Sequence, residues 1–205
     1  GRQNEIESNA QYSVIVGGFQ NLMNGQRSFI GGGFANNIDT ASGTQNVIVG
    51  GNQNKMLSTT IQNSFIGVGF DNELGVAASG TVLVGVSILG GEDNIATASR
   101  ASMLGGLGLR ADSYLEVVKG TYNDPANPDG AGSPSKATYV AGQIAEALGI
   151  GTSDVARANA YVWLKNGKQI RYNTPVYADN AAALAASELV GTVYRTATGQ
   201  LMEVF

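Results

Sequence analysis

The sequence predicts a mainly β protein: an oligomeric parallel β-solenoid (β-roll) over residues 1–110, followed by a small α+β carboxy-terminal tip over residues 111–205. Glycine is abundant, at 29 of 205 residues, while only 14% of residues are charged, against about 25% in globular domains. Short apolar stretches recur through the first half. Composition then changes near residue 110, because 20 of the glycines precede it while all 4 prolines and 7 of the 8 tyrosines follow it.

The first half consists of units that pair an apolar stretch with a Gly-x-x-Asn element. We align the units as Ser13-Val-Ile-Val-Gly-Gly, Ser28-Phe-Ile-Gly-Gly-Gly, Asn46-Val-Ile-Val-Gly-Gly, Ser64-Phe-Ile-Gly-Val-Gly, Thr81-Val-Leu-Val-Gly-Val and Ser102-Met-Leu-Gly-Gly-Leu. The asparagines lie at 4, 21, 36, 54, 72 and 94, with spacings of 17, 15, 18, 18 and 22 residues. A short recurring period indicates a solenoid. Each unit fits one coil of two short strands and two turns.

The residue types in each unit suit such a coil. Val, Ile and Phe favour an extended backbone and pack on a pleated surface. The pairs Gly17/Gly18, Gly32/Gly33 and Gly50/Gly51 permit a sharp corner with positive φ and a close backbone approach. The repeated asparagine has two possible roles: it bonds its local backbone in a turn, or it stacks as a ladder along the solenoid.

A single coil is too small to fold alone. Three buried apolar side chains supply roughly 1.5–3 kcal/mol each, whereas ordering the backbone costs roughly 1–2 kcal/mol per residue. Stacking closes this gap because each coil buries the face of its neighbour. Since the core of such a coil is thin, we expect further burial between chains, which favours an oligomer.

The second half contains recognisable local elements. Prolines and glycines predict a loop over 120–135, either a plain surface excursion or a binding loop. Asn166-Gly167 predicts a hairpin over 160–172 with a type I′ turn. Asp179 is expected to cap a short helix over 180–187. A second hairpin is expected from Gly191–Thr196 and Leu201–Phe205.

Composition argues against several functions. The chain has no Cys and no His, which excludes disulfides, Cys-ligated metals and Ser-His-Asp chemistry. Its net charge is −4 without a basic cluster, which disfavours nucleic acid. No apolar run is long enough for membrane insertion, and no phosphate-binding motif occurs. Glu92-Asp93-Asn94 only faintly resembles a calcium-binding β-roll, so we predict no cofactor and no metal.

The repeats resemble those of known fibres. Ser-(Val/Phe)-Ile-(Val/Gly)-Gly-Gly-x-x-Asn is similar to the head repeats of trimeric autotransporter adhesins, and still more to the Gly-Gly-Gly-x-x-Asn repeats of phage tail fibres. Gly106–Asn123, Leu148–Ala160 and Leu164–Lys168 are similar to a segment that closes such repeats in fibre proteins. Asp179–Thr196 resembles a recurring carboxy-terminal element of phage structural proteins. One departure is that Gln143 and Glu146 interrupt an apolar strand typical of the family near 138–147.

The resemblance implies a non-enzymatic, structural and adhesive role. The expected protein is a homotrimer at the distal part of a tail fibre in the virion, attaching to a host cell-surface glycan or protein. Because Gly1 falls within a repeat, we expect the rest of the fibre upstream. The alternatives are the head of a bacterial trimeric adhesin, located on the bacterial cell surface, and a polysaccharide depolymerase. The candidate receptor-binding residues are Tyr122, Asn123, Asp124, Asn127, Asp129 and Trp163, of which Trp163 serves either in packing or as a ligand platform.

Overall fold

The computed structural model describes residues 1–40, 43–58, 60–75, 82–126, 135–172, 174–198 and 200–205. The strands of the first part are β1 (Glu5–Ile6), β2 (Val14–Ile15), β3 (Leu22–Met23), β4 (Phe29–Ile30), β5 (Asn37–Asp39), β6 (Val47–Ile48), β7 (Lys55–Leu57), β8 (Ile61–Gln62), β9 (Phe65–Phe70), β10 (Glu73–Leu74), β11 (Leu83–Val84), β12 (Ser87–Glu92), β13 (Ile95–Ala96), β14 (Ser102–Leu107) and β15 (Arg110–Ala111). The remaining elements are β16 (Val117–Thr121), β17 (Ile144–Ile150), β18 (Asn159–Leu164), β19 (Gln169–Arg171), α1 (Asn180–Ala185), β20 (Val193–Arg195) and β21 (Leu201–Glu203).

The first part is a β-solenoid of about six turns, as the repeats predict. Each turn places one strand in a ten-stranded sheet, the long sheet, ordered β19-β18-β17-β16-β14-β12-β9-β6-β4-β2. It places the next strand in a seven-stranded sheet, the short sheet, ordered β1-β3-β5-β7-β10-β13-β15. Equivalent residues of successive turns pair in parallel, as in Phe29↔Val47↔Phe65. The two sheets therefore stack corresponding sequence positions into columns.

The core is thin, since most turns add one fully buried side chain from each sheet. The long sheet contributes Ile30, Ile48, Ile66, Ile88 and Met103, and the short sheet contributes Met23, Ile38, Met56, Leu74 and Ala96. Ile61 and Leu83 extend this core from β8 and β11, which form a separate parallel pair. Each turn is therefore stabilised mainly by its neighbours, as expected for a solenoid.

The asparagines form the predicted ladder and also bond the local backbone. The Asn36 Oδ1 accepts the backbone N–H of Asn54 at 3.1 Å and its Nδ2–H at 3.1 Å. The Asn54 Nδ2 also donates to the carbonyls of Gly50 in its own turn and Gly69 in the next, at 3.0 and 2.9 Å. The same Asn-to-Asn bonding links Asn4, Asn21, Asn36, Asn54, Asn72 and Asn94. Stacking satisfies these buried amides, which would otherwise be costly.

In each predicted glycine pair, only the second position lies so close to the backbone of the next turn that a side chain would not fit. Gly33 and Gly51 both have φ of +94°. A Cβ on Gly33 would lie 2.1 Å from the carbonyl oxygen of Gly51, and one on Gly51 would lie 2.3 Å from that of Gly69. A Cβ on Gly50, the first glycine of its pair, would lie 3.9 Å from the nearest atom, the carbonyl oxygen of Gly32. A further left-handed residue, not a glycine, precedes each ladder asparagine, and these residues are Gln3, Gln20, Ala35, Gln53, Asp71 and Asp93.

One of the predicted units is wrong in register. Leu83–Val84, assigned to the apolar stretch that starts at Thr81, pairs instead with Ile61–Gln62 outside the two main sheets. The long-sheet strand of this turn is β12, in which Ser87 and Ile88 pair with Phe65 and Ile66. The turn is longer than its neighbours, so a second apolar stretch fits the same local pattern. Thr81 itself lies outside the described residues.

The long sheet continues beyond residue 110. β17 pairs in parallel with β16, and β18 returns antiparallel to β17. Glu146 lies within β17, so the predicted interruption does not break the strand. The β18–β19 hairpin is confirmed, but its turn type is wrong. Gly167 alone has positive φ, +87°, and its N–H bonds the Leu164 carbonyl at 2.9 Å, which indicates a three-residue loop ending in a left-handed glycine.

Two compact units divide the chain, Gly1–Ile170 and Arg171–Phe205. In the second unit the Asp179 carboxylate accepts the Ala182 N–H at 2.9 Å and caps α1, as predicted. β20 and β21 form the second predicted hairpin. Ala183, Tyr194 and Val204 form its small buried core. The prediction of a domain boundary at 110/111 stays a prediction.

Candidate functional site

The outer surface of the long sheet is apolar. Its exposed large side chains include Val16 (66% exposed), Val68 (58%), Leu89 (54%) and Leu104 (53%). Phe34 is also partly exposed, and its ring stacks on that of Phe19 with centroids 5.7 Å apart. Within β2, β4, β6, β9, β12 and β14 the only charged residue is Glu92. An exposed apolar surface of this kind makes the outer surface of the long sheet a candidate interaction face.

The short sheet presents a charged surface and forms the floor of a groove. Lys55, Glu73, Ile95 and Arg110 occupy aligned positions on the neighbouring strands β7, β10, β13 and β15. Neighbouring strands lie about 4.8 Å apart. The short sheet therefore holds a fixed row of four side chains, of which two are basic, one is acidic and one is apolar.

The groove walls come from two other parts of the chain. Asp71 and Asp93 stand at left-handed corners beside the floor. Asp154 and Arg157 come from the segment between β17 and β18. Together with the floor they enclose a cavity of about 360 Å³, which lies within the size range of small-ligand sites, about 300–1,000 Å³.

Arg157 is the most firmly anchored side chain in the groove. Its Nη1 donates to the carbonyls of Gly108 at 2.7 Å and Asn123 at 3.2 Å. Its Nη2 forms an ion pair with Asp154, and its guanidinium lies 5.8 Å from the ring centroid of Tyr122. The side chain is thus fixed before any ligand arrives.

The charges in the groove are largely balanced internally. The Lys55 ammonium lies 2.6 Å from Asp71, and the Arg110 guanidinium lies 3.7 Å from the carboxylate of Asp112, just beyond the floor. Burial raises the pKa of Glu73 above its ordinary value, and nearby Asp71 adds to this while Lys55 opposes it. The groove therefore combines partly desolvated carboxylates with cations that already have partners.

Three of the predicted receptor-binding residues lie together beside this groove. Tyr122 lies beneath Arg157. Asn123 is fully buried, and its side chain bonds the backbone N–H and carbonyl of Arg110 at 2.8 and 2.9 Å. Asp124 is exposed, and its backbone bonds the side chain of Asn159. Asn127 and Asp129 lie outside the described residues, as do residues 127–134 of the predicted 120–135 loop.

Trp163 lies elsewhere, on β18, and is 45% exposed. It pairs across the sheet with Glu146. The Glu146 carboxylate accepts hydrogen bonds from Lys119 at 2.8 Å and Tyr161 at 2.9 Å. These bonds hold the pKa of Glu146 below its ordinary value, with Lys119 as the larger cause. These two hydrogen-bond partners explain how β17 accommodates the charged side chain of Glu146.

A buried carboxyl lies in the loop between β15 and β16. Glu116 is fully buried, and its Oε2 accepts the N–H groups of Asp112 and Ser113 at 3.0 and 2.8 Å. Burial raises its pKa to about 8, although these backbone bonds and the nearby Lys165 oppose the shift. Burial likewise lowers the pKa of Lys165, partly offset by Glu116. The sequence alone gave no sign of this pair.

The architecture defines this chain as a β-solenoid repeat protein. Comparison with protein-family models, curated proteins and solved structures found no match. Among the described residues, no helix is long and apolar enough to cross a bilayer. Within the same ranges, no three acidic side chains are grouped so that they could hold a metal ion.

Proposed function

We propose that this chain is a structural and adhesive segment of a phage tail fibre, which acts as a homotrimer and attaches to a receptor on the host cell surface. The exposed apolar face of the long sheet carries the proposal. Burial of such surface contributes roughly 25 cal/mol per Å², so side chains such as Leu89 and Leu104 favour contact with another chain over water.

The contrast between the two sheets supports self-association through one of them. The short sheet carries Glu5, Asp39, Lys55, Glu73 and Arg110, which keep it in water. The long sheet carries almost no charge up to β14. Three copies joined through their long sheets leave three charged sheets outside, and the Gly-Gly-x-x-Asn units resemble those of trimeric fibres.

Attachment follows from multivalency. Each trimer presents three copies of every outward feature, so weak single contacts combine through a high effective concentration. The role of the protein is contact without chemistry. The stacked turns supply the stiffness that a fibre needs, because each turn is hydrogen-bonded to the next in both sheets and through the asparagine ladder.

Molar mass measured by light scattering tests the assembly. We expect about 63 kDa, three times 21.1 kDa. Leu89→Lys combined with Leu104→Lys is expected to give monomers, whereas Leu22→Lys on the short sheet, the matched control, leaves the trimer intact. A wild-type monomer at micromolar concentration refutes the trimer, and a trimer that survives the double substitution refutes this interface.

Binding to intact cells tests the adhesive role. The fluorescently labelled trimer is incubated with a panel of bacterial strains, and bound fluorescence is measured after washing. We expect firm attachment to a subset of strains and its loss in the monomeric variant. Equal retention on all strains, or on none, argues against a receptor-binding fibre.

A further inference from the structure

We propose that the groove on the short sheet is a binding site for an uncharged saccharide, held through its hydroxyl groups. This inference rests on the proposed adhesive function and gives it a location and a ligand class. The groove is lined by Lys55, Asp71, Glu73, Asp93, Ile95, Arg110, Asp154 and Arg157. It thus has seven charged residues and one apolar residue around about 360 Å³.

The pairing of the charges selects an uncharged ligand. Each of the three cations already lies against a carboxylate: Lys55 against Asp71, Arg110 against Asp112 and Arg157 against Asp154. An anionic ligand would have to compete with these ion pairs and would also meet Glu73 and Asp93. A cationic ligand would meet the fixed Arg157. The lining has four carboxylates and three cations, a net charge of −1, so it holds little excess charge with which to attract an ion of either sign.

The same groups suit hydroxyls, which both donate and accept hydrogen bonds. Carboxylates accept short bonds from O–H donors, and such charge-assisted bonds are roughly twice as strong as neutral ones. Glu73 and Asp93 supply acceptor oxygens, and the guanidinium of Arg110 supplies donors. Ile95, in the middle of the row, offers an apolar contact for the C–H groups of a sugar ring.

The site is rigid and outward-facing. Its floor is a parallel sheet, and Arg157 is fixed by two backbone carbonyls. Little ordering is therefore required on binding, which favours affinity. The groove belongs to the charged short sheet, so assembly through the apolar long sheet leaves three copies open to solvent, and these act together on a repetitive glycan.

The test uses the full chain on an array of neutral oligosaccharides, namely glucans, mannans and galactans, with uronic-acid and phosphorylated oligosaccharides as a second arm. Glu73→Gln keeps the size of the side chain but removes its charge, and Glu5→Gln, on the same sheet four strands away, is the matched control. Circular dichroism and light scattering establish that each variant is folded and assembled.

We expect the wild-type protein to bind at least one neutral oligosaccharide. Glu73→Gln should lower the affinity about tenfold or more, as expected for the removal of one charge-assisted hydrogen bond. Glu5→Gln should leave the affinity unchanged. Binding of charged oligosaccharides only, or neutral binding that Glu73→Gln leaves intact, overturns the proposal. If no saccharide binds while bacterial cells are still bound, the saccharide site fails and the adhesive function stands. If neither is bound, both fail.

Discussion

The neighbouring glycines Gly50 and Gly51 differ in what surrounds them, and alanine substitutions at the two positions should therefore differ in effect. At Gly51 a Cβ would lie 2.3 Å from the carbonyl oxygen of Gly69 and 2.7 Å from the side-chain nitrogen of Asn54. At Gly50 the nearest atom is 3.9 Å away. Gly51→Ala should break the stack, and Gly50→Ala should be tolerated.

The expected loss of stability in Gly51→Ala has two contributions. The φ of +94° is unfavourable for alanine and costs roughly 1–3 kcal/mol. Separating the turns also weakens the two bonds that the Gly69 carbonyl accepts, from the Asn52 N–H and the Asn54 Nδ2–H, each 2.9 Å long. Such bonds are worth about 1 kcal/mol each. The expected loss is about 3–5 kcal/mol.

Urea unfolding followed by circular dichroism at one fixed protein concentration measures both variants. Gly51→Ala should lower the midpoint strongly or leave the protein insoluble, while Gly50→Ala should change the free energy of unfolding by less than about 1 kcal/mol. Equal stabilities for the two variants would contradict the close approach of successive turns.

Three further perturbations test other parts of the chain. Asn54→Ala removes five side-chain hydrogen bonds of the ladder and should lower the free energy of unfolding by about 3–5 kcal/mol in urea; a change below 1 kcal/mol contradicts the ladder's role. Because burial raises the pKa of Glu116 from 4.5 to about 8 on folding, the contribution of Glu116 to stability should be complete below about pH 4.5 and be lost as the pH rises to about 8, a change of a few kcal/mol. Glu116→Gln should flatten this pH dependence, and an unchanged profile refutes the assignment. Asp179→Ala should speed hydrogen exchange at the Ala182 amide by roughly fivefold, because loss of the cap costs about 1 kcal/mol. Asp179→Asn keeps a hydrogen-bond acceptor and should leave the exchange rate unchanged. Equal exchange rates in the two variants would rule out the cap.

The repeated asparagines and glycines made the solenoid predictable. An asparagine that recurs every 15 to 22 residues, three positions after a glycine, has few structural explanations, and the bond between Asn36 and Asn54 shows the reason. A buried amide needs several partners, and an identical amide one turn away supplies them. Local signals were equally informative where the geometry is local, as for the Asp179 cap and the hairpin at Gly167.

Register within the longest turn was not predictable from the pattern. Leu83–Val84 and Ile88–Leu89 are both apolar and directly followed by a glycine, and only pairing with the preceding turn distinguishes them. The ladder ends at Asn94, the last asparagine of the predicted series. Leu109 takes the place of an asparagine there, and its N–H bonds the Asn94 Oδ1 at 3.0 Å.

The groove could not be read from the sequence either. Lys55 and Arg157 are 102 positions apart, and no motif connects them. They line one cavity because the strands stack and the segment after β17 lies beside the short sheet.

The sequence by itself determined the periodic part of this protein. Two-residue strands, glycine corners and asparagine columns are local choices, and repetition forces them to coincide in space. Only the tertiary structure decided which sheet faces outward with apolar side chains and which with charges, and which distant residues share a groove. Those outcomes depend on how many residues each turn contains, and therefore on the pairing of whole turns, which no single unit specifies.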